Sequence, residues 1–292
     1  MNVLRRSSLY TVFTFSVLFF LSGLLNNECA AAPAGAFSAL GAALKADGFN
    51  SREIDALYQD PDVHFDPRSV SLFFMHSESR LNYAQFASPK SIRRARAYQR
   101  THARALTRTE KKYQVDQAVI VAIILVETRL GEMVGKSRVL NTLSTMAALK
   151  NEAARQDIWQ QIPTDRRLTR AQFEKKADAK SEWAYTELKA LLRYAFAEGI
   201  DPVSIRGSYA GAMGICQFMP SNISRLAVDG NGDGHVDLFT HEDAIASVAN
   251  YLKHHGWKPG LNGQKAHRVI RRYNNSRPYA DTILKVASLL RR

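Results

Sequence analysis

Val119–Glu127 reads VIVAIILVE: eight apolar residues run unbroken into one carboxylate, and Thr128-Arg129-Leu130-Gly131 follow. Wound as a helix, the run is apolar on every side, so it belongs in the middle of a packed domain rather than on its surface. Glu127 then stands at the inner end of a buried rod. An isolated ionised carboxylate is costly there, and burial favours its protonated form. A carboxyl that holds a proton near neutral pH is equipped to act as a general acid. The same spacing also accommodates a Glu127 that leaves the last turn for water.

The chain around this stretch has 292 residues, 46% of them hydrophobic, enough for one large or two small packed domains. Its net charge of +13 calls for an anionic partner: nucleic acid, anionic lipid or an acidic wall polymer. Residues 1–36 carry an export pattern. Arg5 and Arg6 precede an apolar run from Leu9 to Leu25, and the small residues Cys29-Ala30-Ala31-Ala32 and Ala34-Gly35-Ala36 follow. This is a signal peptide or an N-terminal membrane anchor, and it implies export, with the anchor as a route to membrane association. Asn27-Glu28 before Cys29 disfavour lipid attachment. If the leader is cut, Cys216 is the one thiol of the mature chain.

Between the leader and the apolar rod, the pattern predicts a short helix over 37–48, a helix starting at Ser51, and a loop over 60–70 with Pro61 and Pro67. Ser88-Pro89 opens a helix expected to run to about 112. Arg96, Arg100, Arg104 and Arg108 recur along it every four residues, one slanting stripe. It is either a solvated face or a seat for an anionic wall or membrane surface. Aromatic residues do not alternate with it, and export removes the chain from cytoplasmic nucleic acid, so no nucleic-acid partner is expected.

Beyond the rod, Leu140, Leu143, Met146 and Leu149 predict a packed helix. Residues 151–183 turn polar and charged, with Trp159, Ile162 and Phe173 as sparse anchors, and read as a charged helical insert over the surface. Glu182–Ala197 resumes an amphipathic helix, stopped by Gly199.

Three signals crowd the second half. Residues 207–221, GSYAGAMGICQFMPS, are dense in Gly, Ala and Ser, which permits close backbone approach. Gln217 stands there as a polar group suited to a sugar hydroxyl or amide. Residues 229–237, DGNGDGHVD, match the opening of a calcium loop: Asp229, Asn231 and Asp233 at positions one, three and five, Gly234 at six, the His235 carbonyl at seven. Position twelve is Thr240 rather than Glu, which leaves Glu242 or Asp243 to close the site; a metal-free Asp/Asn/Gly turn is the alternative. Last, Tyr273-Asn274-Asn275-Ser276-Arg277-Pro278-Tyr279 combines rings and amides that suit carbohydrate.

Taken in order, VETRLGEMVGKSRVLNTLSTM (126–146), GSYAGAMGICQFMPS, AVDGNGDGHVDLFTHEDAIASVANYLKHHGW (227–257) and YNNSRPYADTIL (273–284) resemble the membrane-bound lytic murein transglycosylase B family of bacteria, over about residues 65–291. The resemblance implies a mainly α, lysozyme-like fold with an EF-hand-like calcium loop, little or no β structure, and one catalytic domain over 37–292. It implies non-hydrolytic cleavage of the MurNAc–GlcNAc bond of peptidoglycan glycan strands by a monomer, leaving 1,6-anhydro-MurNAc ends. Glu127 is similar to the family's catalytic acid/base. Ser208, Gln217, Phe218, Tyr251, Tyr273, Asn274 and Tyr279 match positions lining its sugar cleft. Asp229, Asn231, Asp233, His235 and Asp243 match its structural Ca2+ loop; no cofactor is implied for catalysis. Leu130 and Tyr209 stand where the family often has Trp. A peptidoglycan-binding protein without catalysis and a lysozyme-type muramidase are the rival readings.

Overall fold

Thirteen α-helices order the described part of the chain, residues 35, 37–75 and 82–292 of a computed structural model. The expected leader, residues 1–36, lies outside the described residues apart from Gly35. No described helix is long and apolar enough to cross a membrane.

The apolar rod is the helix α6, Gln117–Thr128. Asp116 caps it, accepting the Ala118 N–H at 2.7 Å. Every residue from Ala118 to Thr128 is buried. At about 1.5–3 kcal/mol for each fully buried large aliphatic side chain, this rod carries much of the core's stability. Ile123→Ala would cost about 2–5 kcal/mol. Around α6 pack α4 (Pro89–Thr101), α5 (Ala103–Tyr113), α11 (His241–His254) and α13 (Arg277–Leu290). A second group packs on α9 (Arg170–Ala197): α7 (Val139–Ala147) lies along it, and α10 (Pro220–Leu226) packs on it as well. The one sheet of the described residues is an antiparallel pair, β1 (Ser137–Arg138) on β2 (Arg206–Gly207), in register Ser137↔Gly207, with isolated bridges at Gly207↔Met213 and Met213↔Phe218.

The N-terminal helices are α1 (Ser38–Ala46), burying Leu40 and Leu44, and α2 (Ser51–Gln59). Asn50 caps α2: its side chain accepts from the N–H groups of Arg52 and Glu53. The expected loop over 60–70 is half wrong. Pro67 opens α3, Pro67–Met75, where its missing N–H costs nothing at a first-turn position. The expected helix over 89–112 is two helices. It breaks at His102 (φ −104°, ψ 22°), whose ring packs 4.3 Å from those of Tyr98 and His241. The stripe is therefore shared between α4 and α5. Its ends serve the fold, Arg96 donating to the Leu289 carbonyl and Arg108 to that of Gly230, while Arg100 and Arg104 are exposed.

Residues 151–183 form α8 (Glu152–Gln161) and the first half of α9, one unbroken helix of 28 residues started by a Thr169/Gln172 capping box. Ile158, Phe173 and Ala177 enter the core and meet α3 through Phe74.

Candidate active site

The carboxylate at the end of α6 is buried, 3% exposed. Directly after it the backbone turns left-handed at three successive residues: Arg129 (φ 54°), Leu130 (φ 72°) and Gly131 (φ 93°). Two non-glycine residues in that region cost on the order of 1–3 kcal/mol each, a strain typical of functional turns. Thr128 fastens the turn. Its hydroxyl donates to the Ile215 carbonyl at 2.8 Å and accepts the Gly131 N–H at 3.0 Å. Gln217 is left-handed too (φ 52°), so the strained residues sit on both sides of the contact between α6 and the Gly/Ala-rich turn.

That turn is close-packed. A Cβ on Gly207 would lie 2.2 Å from the Ala212 carbonyl oxygen, and one on Gly214 2.5 Å from Leu238 Cβ. The Ser208 hydroxyl accepts the Ala212 N–H at 3.0 Å and the Ala210 N–H at 3.3 Å. Gln217 Nε2 donates to the carbonyls of Gly214 (2.9 Å) and Val134 (3.0 Å). Both side chains thus shape the turn. Cys216 is fully buried, and burial pushes its thiol far above the ordinary range, which leaves it as an inert filler.

The aromatic residues form the wall behind Glu127. Tyr279, in the first turn of α13, donates its hydroxyl to Glu127 Oε1 at 2.6 Å. Burial, then the Glu127 charge, holds the Tyr279 phenol well above its usual range, so it stays a donor. Tyr273, the last residue of α12 (Gly263–Tyr273), donates to the Cys216 carbonyl at 2.5 Å. Tyr251 of α11 donates to the Arg272 carbonyl at 2.5 Å. Phe218 fits between them, 5.5 Å from the Tyr251 ring and 5.9 Å from that of Tyr273. Asn274 is buried beside Tyr273 in the chain. Of the residues assigned to the sugar cleft, Tyr279 bonds Glu127, Phe218, Tyr251 and Tyr273 pack ring against ring, and the side-chain bonds of Ser208, Gln217, Tyr251 and Tyr273 run to the main chain.

Glu187 carries a signal that the sequence did not disclose. Three carboxylates are buried among the described residues: Glu127, Glu187 and Asp243. Both Glu187 oxygens are occupied by Ser221, whose hydroxyl donates at 2.7 Å and whose N–H donates at 2.8 Å. Both Asp243 oxygens accept backbone N–H groups, from Gly230 at 2.9 Å and Asp237 at 2.7 Å. Glu127 alone of the three is held by a neutral phenol beside the sharp turn.

The loop 229–237 is closed by hydrogen bonds within itself. Asp229 accepts from Gly232 (2.6 Å) and Gly234 (2.9 Å), Asn231 from Asp233 (2.9 Å), and Asp233 from His235 (2.9 Å). The N–H groups of Gly234 and Gly232 hold the Asp229 carboxyl below its usual range. Burial pushes that of Asp243 up, against the bonds from Asp237 and Gly230. Among the described residues no three His, Cys, Asp or Glu side chains converge as a metal site. The donor set is nonetheless all oxygen, which fits a hard cation such as Ca2+. Ile215 ties this loop to the Gly/Ala turn, donating its N–H to the Leu238 carbonyl at 2.8 Å.

The chain is similar to known proteins in sequence and in fold. Membrane-bound lytic murein transglycosylase B of Escherichia coli K12 is 36% identical over 176 residues, 60% of this chain; the match spans 41% of that protein's length. The soluble lytic transglycosylase SltB1 of Pseudomonas aeruginosa superposes with a TM-score of 0.71 at 27% identity, covering 88% of this chain and 98% of that one. Escherichia coli Slt35, solved in complex with calcium, superposes at 0.66 with 24% identity over 91% of this chain and 95% of its own. The model of the transglycosylase SLT domain matches residues 34–266, and the chain belongs to that family.

Proposed function

We propose that the protein is a lytic transglycosylase that cleaves the MurNAc–GlcNAc bond of peptidoglycan without water. The observation that carries this reading is Glu127: a buried carboxyl gripped by Tyr279 and set beside a strained turn. Hydrolysis by the ordinary two-carboxylate route needs a second acid across the bond. Glu187 and Asp243 have both oxygens engaged elsewhere.

In the proposed sequence, Glu127 gives its proton to the bridging oxygen as the C1–O bond breaks. The GlcNAc-side alcohol leaves, and the substrate's N-acetyl group stabilises the cationic C1. The muramoyl 6-hydroxyl oxygen then bonds to C1, and its proton returns to Glu127. The enzyme ends as it began, and the product carries a 1,6-anhydro ring. The sharp backbone at Arg129–Gly131 fixes the carboxyl's position, and Tyr279 fixes its rotamer.

Asp229, Asn231, Asp233, the His235 carbonyl and Asp243 would hold Ca2+, a structural ion that stiffens the loop against α11. The calcium complex of Slt35 supports that reading. Peptidoglycan glycan is the partner, the enzyme works as a monomer in the periplasm, and Arg100 and Arg104 face its anionic surroundings. Digestion of purified sacculi tests the function: wild type releases muropeptides one water lighter than hydrolysis products, and Glu127→Gln releases none. Release of reducing ends would instead establish a muramidase, and binding without release a non-catalytic wall protein.

A further inference from the structure

The turn that follows Glu127 is braced from outside. Arg129, Leu130 and Gly131 are left-handed in succession, and such backbone persists only where its surroundings over-determine it. Helix α4 reaches this turn twice, with side chains four residues apart on one face. Arg94 donates to the Arg129 carbonyl at 3.2 Å and pairs with Glu132. Tyr98 acts through His241, whose Nδ1 lies 2.9 Å from the Tyr98 hydroxyl.

His241 fills the space that Gly131 leaves. A Cβ on Gly131 would lie 2.9 Å from His241 Cε1 and 3.5 Å from Ile215 Cδ1. The imidazole is therefore seated against the bare Cα of the last left-handed residue. Its neighbours keep it from swinging aside. Nδ1 is bonded to Tyr98, and the ring packs 4.3 Å from that of His102 and 5.3 Å from that of Tyr98. The base of the side chain is fixed as well. His241 is the first residue of α11, and Asp243 in the same helical turn accepts the N–H groups of Gly230 and Asp237.

We propose that His241 is a positioning residue for Glu127: its ring, held by Tyr98 and His102, stops the turn at Gly131 from relaxing and so fixes the carboxyl against the bridging oxygen. It acts through the turn and not on the substrate. The inference rests on the transglycosylase reading above. Two further bonds report the state of the turn, because the Leu130 N–H returns to the Ile124 carbonyl at 3.2 Å and the Met133 N–H to the Thr128 carbonyl at 2.9 Å.

The test compares the full chain as wild type, His241→Ala, Tyr98→Phe and the double variant on soluble glycan strands, well below their melting temperatures. A misplaced acid costs turnover rather than binding, so kcat should fall about 10- to 100-fold in His241→Ala while KM stays within about twofold. Tyr98→Phe should lose less. The double variant should be no worse than His241→Ala, because the hydroxyl works only through the ring. Gly131→Ala should harm wild type more than it harms His241→Ala, where no ring opposes the added methyl. Undiminished kcat in His241→Ala, additive losses in the double variant, or a rise in KM alone would overturn the assignment. If wild type releases no anhydro product, the transglycosylase reading falls instead, and the brace is judged by amide exchange. Faster exchange at Leu130, Gly131 and Met133 in His241→Ala, with α9 unaltered, upholds it. Exchange unchanged at the turn, or raised throughout the molecule, refutes it.

Discussion

Tyr279 donates its hydroxyl to Glu127 Oε1 across 2.6 Å, from 152 residues farther along the chain. The bond joins the first turn of α13 to the last turn of α6 and sets the rotamer of the proposed acid/base. Tyr279→Phe keeps the ring, which packs edge-on 6.4 Å from Tyr83, and deletes only the donor. A hydrogen bond to a charged group is worth about 1.5–3 kcal/mol. We therefore expect kcat to fall about 10- to 150-fold, and, because buried Glu127 loses its donor, the melting temperature to drop by about 3–12 °C. The sign of the pH effect follows: without the donor, the ionised carboxyl loses stabilisation and Glu127 keeps its proton to higher pH. The limb of the pH–rate profile governed by Glu127 should move upward. An unshifted profile with undiminished kcat would remove Tyr279 from the machinery.

Glu187 and Ser221 supply a separate test of stability. Burial raises the Glu187 carboxyl, and the bonds from Ser221 oppose that. Glu187→Ala would strand the Ser221 N–H and hydroxyl in the interior, at about 1–3 kcal/mol. At about 2–4 °C for each kcal/mol, thermal melts should resolve the loss. Glu187→Gln retains an acceptor and should melt closer to wild type. Because the folded-state affinity for the proton is raised, this group's unfavourable contribution grows as pH rises through its folded-state titration. The Gln variant should lack that slope.

Reading the chain alone gave the central helix, since eight apolar residues in a row leave it no solvent face. What stayed hidden depended on distant partners. The break at His102 comes from ring packing against His241, 139 positions away by numbering and invisible to local periodicity. The hydroxyl partners of Tyr251 and Tyr273 were hidden for the same reason: they are main-chain carbonyls 21 and 57 residues away, at Arg272 and Cys216. Pro67 read as a loop because a proline marks a helix start and a helix break equally well.

His255 should make the protein sensitive to acid. Its ring lies 4.4 Å from that of Tyr251. Burial, with repulsion from His254, Arg272 and Arg225, lowers its pKa from 6.5 to about 4. The unfolded chain therefore takes the proton first. The stability is fully present above the unfolded value and is lost as pH falls from about 6.5 toward 4. Urea midpoints measured across that window should drop in wild type and drop less in His255→Phe, which preserves the ring. Parallel curves for the two proteins would exclude His255 as the source.

Asp243 separates two effects of the acidic loop. Its carboxylate clamps the N–H groups of Gly230 and Asp237, so it organises the loop even without an ion. Asp233 accepts only from its own turn, at His235 and Asn231. If the loop holds Ca2+, the ion should stabilise wild type by about 2.7 kcal/mol at one hundred times its dissociation constant, and a chelator should reverse this. Asp233→Ala should abolish the calcium-dependent shift while leaving the chelated protein's melting temperature almost unchanged. Asp243→Ala should abolish the shift and also lower the melting temperature in chelator, because two loop N–H groups lose their acceptor. Magnesium should substitute poorly, since it demands a tighter octahedral shell than a loop of side-chain and main-chain oxygens provides. A wild-type melt indifferent to calcium would leave Asp243 as a purely structural clamp.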